Sequence, residues 1–132
     1  MIVSGKEAEK LLRELGLSEE KDSKYHSKKI VVDGITFDSE KEARRYGELM
    51  ALRLAGEIRD LELQKSFDLI PVQRDSAGRV IERAVRYKAD FYYYDVRRRC
   101  FVVEDTKGVR TDDYIIKRKL MLWVHKIKIK EI

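Results

Sequence analysis

The chain has 132 residues, 43% hydrophobic and 40% charged, with a formal net charge of +5 and a pI near 9.3. That composition excludes a disordered chain, and the length suits one domain burying roughly two thirds of the surface its unfolded form exposes. A single cysteine, Cys100, excludes an internal disulfide and the usual zinc site, and neither a long apolar run nor a charged-then-apolar leader is visible, so a cytoplasmic location is expected.

Ala8, Leu11, Leu12 and Leu15 stand at helical spacing before Gly16, which predicts a short amphipathic helix over 5–15. Residues 18–29 are polar and lysine-rich, a linker or arm. Ile30-Val31-Val32 and Ile35-Thr36-Phe37 flank Asp33-Gly34, a hairpin signal, because a type I′ turn needs positive φ at both central residues. From Ser39 the spacing turns helical through Ala43, Tyr46, Leu49, Met50 and Leu54 to Gly56. A strand follows over 61–70, ending at Pro71, then a turn at Asp75-Ser76-Ala77-Gly78 and a long strand over 80–94. After the charged turn Arg97–Arg99 come a strand over 100–107 ending at Gly108, a helix over 112–124 and a half-exposed strand in which lysine alternates with isoleucine from Lys126. The order is helix, three-stranded meander, helix, strand: an α/β fold with a single mixed central sheet flanked by helices.

Charge is segregated along this chain. Between Arg97 and Lys130 eleven Lys or Arg face four acids, whereas the first twenty residues carry five Glu against Lys6, Lys10 and Arg13. A basic second half permits nucleic-acid binding without establishing it.

Alternation puts Asp105 and Lys107 on one face of their strand and Glu104 and Thr106 on the other. Asp90 lies fifteen residues earlier, across a tight turn, so pairing of the two strands brings it near Asp105. Two carboxylates beside a lysine suit phosphodiester hydrolysis: acidic oxygens hold Mg²⁺ or Mn²⁺, the ion polarises phosphate and acidifies a water, and the lysine orients the nucleophile or neutralises developing charge.

Through Tyr87-Lys88-Ala89-Asp90-Phe91 and Val102-Val103-Glu104-Asp105-Thr106-Lys107-Gly108 the chain resembles the PD-(D/E)XK nuclease superfamily. The stretch Phe37–Tyr46, with Glu42 as its acid, looks like the superfamily's first helix, and Tyr114–Lys119 like its basic last helix. Ala89 stands where the name has proline. The resemblance covers about residues 24–132, leaving 1–23 as an N-terminal helix and linker. More narrowly, the chain is similar to small phage and prophage proteins laid out like Holliday-junction resolvases. The resemblance implies a restriction-endonuclease-like core of order α-β-β-β-α-β. It further implies that Asp90 and Asp105 are metal ligands, that Lys107 acts on the attacking water or phosphate, and that Glu42 completes the metal shell. The Thr106 backbone carbonyl would be a further ligand, which would leave its side-chain identity unimportant.

Each feature has a second reading. Ser39-x-x-Glu42 is also a capping box, although Glu42 shares the stripe of Tyr46 and Leu49. Asp105 and Lys107 could form a solvated salt bridge. Tyr87, Phe91 and Tyr93 share a face and read as core, as does Trp123. Lys117, Arg118 and Lys119 are either a solvated helix end or phosphate contacts, with Tyr114 beside Lys117. Lys21, Lys24, Lys28 and Lys29 are a solubilising linker or an arm that grips DNA. His26 and His125 form no proposed pair.

The expected function is a Mg²⁺-dependent endodeoxyribonuclease acting by direct water attack, with branched or junction DNA favoured because no separate sequence-reading domain is evident. Two symmetric cuts would require a homodimer. Neither a small-molecule cofactor nor a membrane partner is expected, and these residues do not separate DNA from RNA. The rivals are a non-catalytic DNA-binding module on a nuclease scaffold and a protein-interaction domain with a basic surface.

Overall fold

The structure, a computed structural model, describes residues 19–21, 28–106 and 108–132, with side chains from Lys29 onward. The expected helix over 5–15 and the boundary expected at residue 23 lie outside the described residues. Contacts divide the chain into two compact units, Met1–Arg59 and Asp60–Ile132.

In the first unit, β1 (Glu19–Lys21), β2 (Lys28–Val32) and β3 (Ile35–Phe37) form an antiparallel sheet in chain order. Asp33 and Gly34 make the β2–β3 turn with φ of 52° and 76°, as the Asp-Gly pair predicts. Helix α1 spans Glu40–Leu54 and starts at an extended Ser39, whose Oγ accepts the Glu42 amide at 3.1 Å. It ends in a Schellman arrangement: Gly56, at φ 75°, donates its N–H to the Arg53 carbonyl, and Glu57 donates to that of Leu52. The buried stripe is Glu42, Ala43, Tyr46 and Leu49, with the Tyr46 ring 5.1 Å from Phe37.

The second unit is built on a four-stranded mixed sheet in the order β4 (Ile58–Ile70), β7 (Val85–Asp95), β8 (Cys100–Asp105), β9 (Lys130–Glu131). β7 and β8 are antiparallel, β8 and β9 parallel. The protein is therefore a mixed α/β fold, as expected. Helix α2 spans Asp112–Leu120, capped by the Thr111 side chain, and runs into a π-helical turn over Met121–His125. The core gathers Phe67, Leu69, Tyr87, Ala89, Val103, Tyr114, Met121 and Ile129. Among the described residues no helix is long and apolar enough to cross a membrane.

Three expectations change. The strand expected over 80–94 is broken: Val80–Glu82 (β6) pairs instead with Gln73–Arg74 (β5) around the Asp75 turn, and the sheet strand restarts at Val85. That turn is fixed locally by Asp75 Oδ1, which accepts the amides of Ala77 and Arg79. Trp123 is not core but 75% exposed. Met121 takes the buried position seven residues after Tyr114, and two residues further on the helix surface has turned away. The final strand is only Lys130–Glu131, because Lys126 caps the π turn in a left-handed conformation, φ 59°. The expected alternation still holds beyond it, with Ile129 buried and Lys128 and Lys130 exposed.

Candidate functional site

The β7–β8 ladder is regular from Asp95↔Cys100 to Phe91↔Glu104. Asp90 and Asp105 are the next residues of the two strands beyond this last pair. Here the structure changes character. Asp90 Oδ2 accepts both the backbone N–H and the hydroxyl of Thr106, each at 2.8 Å. Asp105, only 2% exposed, accepts the Tyr87 hydroxyl on Oδ2 at 2.6 Å. Strict alternation would put Tyr87 and Asp105 on opposite sides of the sheet, so the period-two count does not carry through this end of the pair. The Asp105 backbone is held from the other side as well, its carbonyl accepting the Ile132 amide at 2.9 Å beside its register partner Glu131.

Electrostatics link the two carboxylates. Burial foremost, then the hydrogen bond to Asp105 and the negative charges of Asp105 and Asp90, hold the Tyr87 hydroxyl far above the usual phenol range. The phenol therefore remains a donor to Asp105. Tyr114, packed with its ring 6.5 Å from that of Tyr87, is likewise pushed up, first by burial and then by Asp105 and Glu131. On the β4 side, Gln64 approaches Asp90 Oδ1 with its amide at 3.4 Å from a left-handed backbone, φ 54°, uncommon for a residue with a side chain.

Glu104 is as buried as Asp105, 0% exposed, but lies on the face of Phe91 and Tyr93 and accepts the Tyr93 hydroxyl. It belongs to a different environment from its neighbour. Tyr87, Phe91 and Tyr93 are all buried.

The remaining expected residues are distributed unevenly. Lys107 and Lys24 lie outside the described residues, and of Lys28 only its backbone in β2 is described. Glu42 belongs to the first unit, 7% exposed on the inner stripe of α1. Thr106 requires a correction: its side chain is not indifferent, since its hydroxyl supplies one of the two hydrogen bonds that fix Asp90 Oδ2. Tyr114 is buried rather than presented on a surface. Arg118 is committed to Glu131 Oε1 at 2.9 Å, and Arg110 takes the other oxygen at 2.7 Å. Lys117 borders a cavity with Tyr87, Lys88, Thr111, Asp113 and Tyr114.

Sequence reasoning missed the Tyr87 hydroxyl, Gln64 and Lys88. The first had a signal: a tyrosine assigned to the core still needs a partner for its O–H, and the nearby acids were the available acceptors.

Among the described residues no group of three or more His, Cys, Asp or Glu side chains is placed to hold a metal ion. Asp90 and Asp105 fit Mg²⁺ or Mn²⁺ in donor type, being hard oxygens, and in number, since Mg²⁺ is commonly held by one or two carboxylates, the rest of its shell being water and substrate phosphate.

The family model described as "Protein of unknown function (DUF1064)" matches residues 22–131. No curated protein and no solved structure matches the chain.

Proposed function

The chain belongs to the DUF1064 family, and we propose that it is a metal-dependent endodeoxyribonuclease of PD-(D/E)XK type, acting on branched or junction DNA in phage-type recombination or repair. The observation that carries this reading is the placement of Asp90 and Asp105 on the paired strands β7 and β8, each fixed through one carboxylate oxygen, by Thr106 and by Tyr87. A carboxylate is costly where it loses water, and a fold needs a reason to bury one as deeply as Asp105, 2% exposed.

Asp90 and Asp105 would supply the oxygens for Mg²⁺ or Mn²⁺, with the Thr106 carbonyl as a further ligand. When bound, the ion polarises the scissile phosphate and lowers the pKa of a water. The residues around the acids do positioning work. Thr106 fixes one oxygen of Asp90 through two donors, and Tyr87 fixes one oxygen of Asp105. Lys107 orients the attacking water or neutralises charge on the phosphate, and no covalent enzyme intermediate forms. A homodimer makes the two symmetric cuts, and the cytoplasm suits a chain whose one cysteine, Cys100, is an exposed free thiol.

The test is incubation with junction, flap, single-stranded and linear duplex DNA in Mg²⁺ or Mn²⁺. Cleavage is expected, strongest on branched DNA and lost in Asp90→Asn and Asp105→Asn. Absence of cleavage on all four substrates with either ion would sink the proposal. Salt-sensitive binding without turnover, persisting in Asp105→Ala, would identify a non-catalytic binding module instead.

A further inference from the structure

A cavity of about 280 Å³ opens beside Tyr87, the donor to Asp105, and is lined by Tyr87, Lys88, Thr111, Asp113, Tyr114 and Lys117. We infer that it seats one phosphodiester group of the nucleic-acid strand, next to the one being cut and gripped by Lys88 and Lys117. This rests on the nuclease reading for its substrate and on separate residues for its evidence.

Three observations converge on it. First, the cavity shares a wall with the site: Tyr87 lines it and donates its hydroxyl to Asp105 Oδ2 at 2.6 Å. Second, its cations are uncommitted among the described residues. Neither Lys88 nor Lys117 makes an ion pair with another described residue, in contrast to Arg118, one position along α2, which is bridged to Glu131. Two lysines brought to one cavity from a strand and a helix are not the single solvated stripe that a helical charge run usually means. Third, the charge balance selects the ligand. The lining residues carry two lysines against one acid, Asp113, and with Asp105 bonded to the Tyr87 wall this suits the single negative charge of a backbone diester better than the nearly double charge of a terminal monoester.

Position along the strand fits as well. Lys88 precedes Asp90 by two residues on β7, about 7 Å at the rise of an extended chain. That is close to the step from one phosphate to the next along a nucleic-acid strand. The cavity also has room for part of the attached sugar, whereas Tyr87, already donating to Asp105, offers the guest an aromatic wall rather than a proton.

The experiment uses the full chain and junction DNA carrying one neutral methylphosphonate at each backbone position in turn, together with a version lacking its terminal phosphates. Binding is followed by fluorescence anisotropy in Ca²⁺, and cleavage separately in Mg²⁺. One methylphosphonate position adjacent to the cut is expected to weaken binding to the parent about tenfold and to leave Lys88→Gln/Lys117→Gln unaffected. In that double variant the slope of log K against log salt should fall by about one for each lysine, and Lys117→Arg should restore half of the loss. Unchanged affinity and slope in the double variant, with cleavage intact, overturns the subsite and leaves the nuclease reading standing. Loss that follows the terminal phosphate overturns the diester assignment. A position-specific effect in a protein that cuts nothing supports the subsite and overturns the nuclease reading.

Discussion

At its turn end the β7–β8 pair is aromatic and regular. Tyr94 faces Phe101, the Tyr92 ring stacks on Phe101 at 5.1 Å, and Asp95 Oδ1 closes the turn on the Arg98 amide. At the other end the same two strands carry Asp90 and Asp105, and side chains rather than aromatic pairs make the connections: Thr106 to Asp90, Tyr87 to Asp105. The first end is what cross-strand packing produces without further demand. The second buries the Asp105 carboxylate, at a cost in desolvation that packing does not require. Glu104 sharpens the contrast. It is as buried as Asp105 and equally tyrosine-bonded, yet faces away from Asp90, so burial of an acid alone does not identify the chemistry. Its company does.

The largest expected effect breaks the comparison at its acidic end. Asp105→Asn keeps the shape and the Tyr87 contact but removes the charge, and should lower cleavage by on the order of 10²–10³-fold while leaving thermal stability equal or higher. Glu104→Gln should do neither, retaining turnover within about threefold, whereas Glu104→Ala removes the acceptor of the Tyr93 hydroxyl and should cost about 1–3 kcal/mol in urea unfolding. If Glu104→Gln abolished turnover with the fold intact, the division between these neighbouring acids would be wrong.

Next in size is Thr106→Val, which removes the hydroxyl bond to Asp90 Oδ2 and keeps the amide bond. Groups that orient a ligand typically contribute about 10–100-fold to metal affinity, so the Mg²⁺ concentration for half-maximal cleavage should rise by that order, with Thr106→Ser restoring it. A Mg²⁺ dependence identical to the parent's would return Thr106 to a purely backbone role.

Tyr87→Phe tests the other link. It leaves a buried carboxylate short of a donor and should cost about 1.5–3 kcal/mol at neutral pH. The Tyr87 pKa is raised in the fold above its ordinary 10.0. Its contribution is therefore complete below pH 10 and is lost as pH rises above that value. Urea midpoints from pH 7 to 11 should show the parent converging on the variant at the alkaline end; parallel curves would remove Tyr87 from this account.

What could be read from the sequence was what local chemistry decides. Asp33-Gly34 dictates its turn, Ser39 its cap, Gly56 its helix end, and a short turn pairs the strands that carry Asp90 and Asp105. What could not be read depended on the completed fold. The strand over 80–94 breaks because Val80–Glu82 finds a closer partner across the Asp75 turn. Trp123 leaves the core because Met121 already fills it. Alternation also misplaced Tyr87 relative to Asp105, since it assumes a regular ladder up to the strand end. Lys88 gives no signal in the sequence, because its neighbours Thr111, Asp113 and Lys117 reach it only through the fold.

The smallest effect lies at the edge of the acidic end, in the clamp on Glu131. Burial pulls its pKa upward, but the bonds from Arg118 and Arg110 outweigh that and hold the carboxyl below its ordinary 4.5. Because the folded value is depressed, the stabilisation is present above pH 4.5 and disappears as pH falls through the folded value. Both arginines are partly exposed, so Glu131→Gln should cost only about 0.5–1 kcal/mol at pH 7, less in high salt and nothing in strong acid. Glu131 is the register partner of Asp105 across β8 and β9. A clamp that merely fastens the edge strand predicts a cleavage rate within twofold of the parent despite the lost stability. A rate falling tenfold or more would mean that the acidic end extends one strand further, with Glu131 helping to position Asp105.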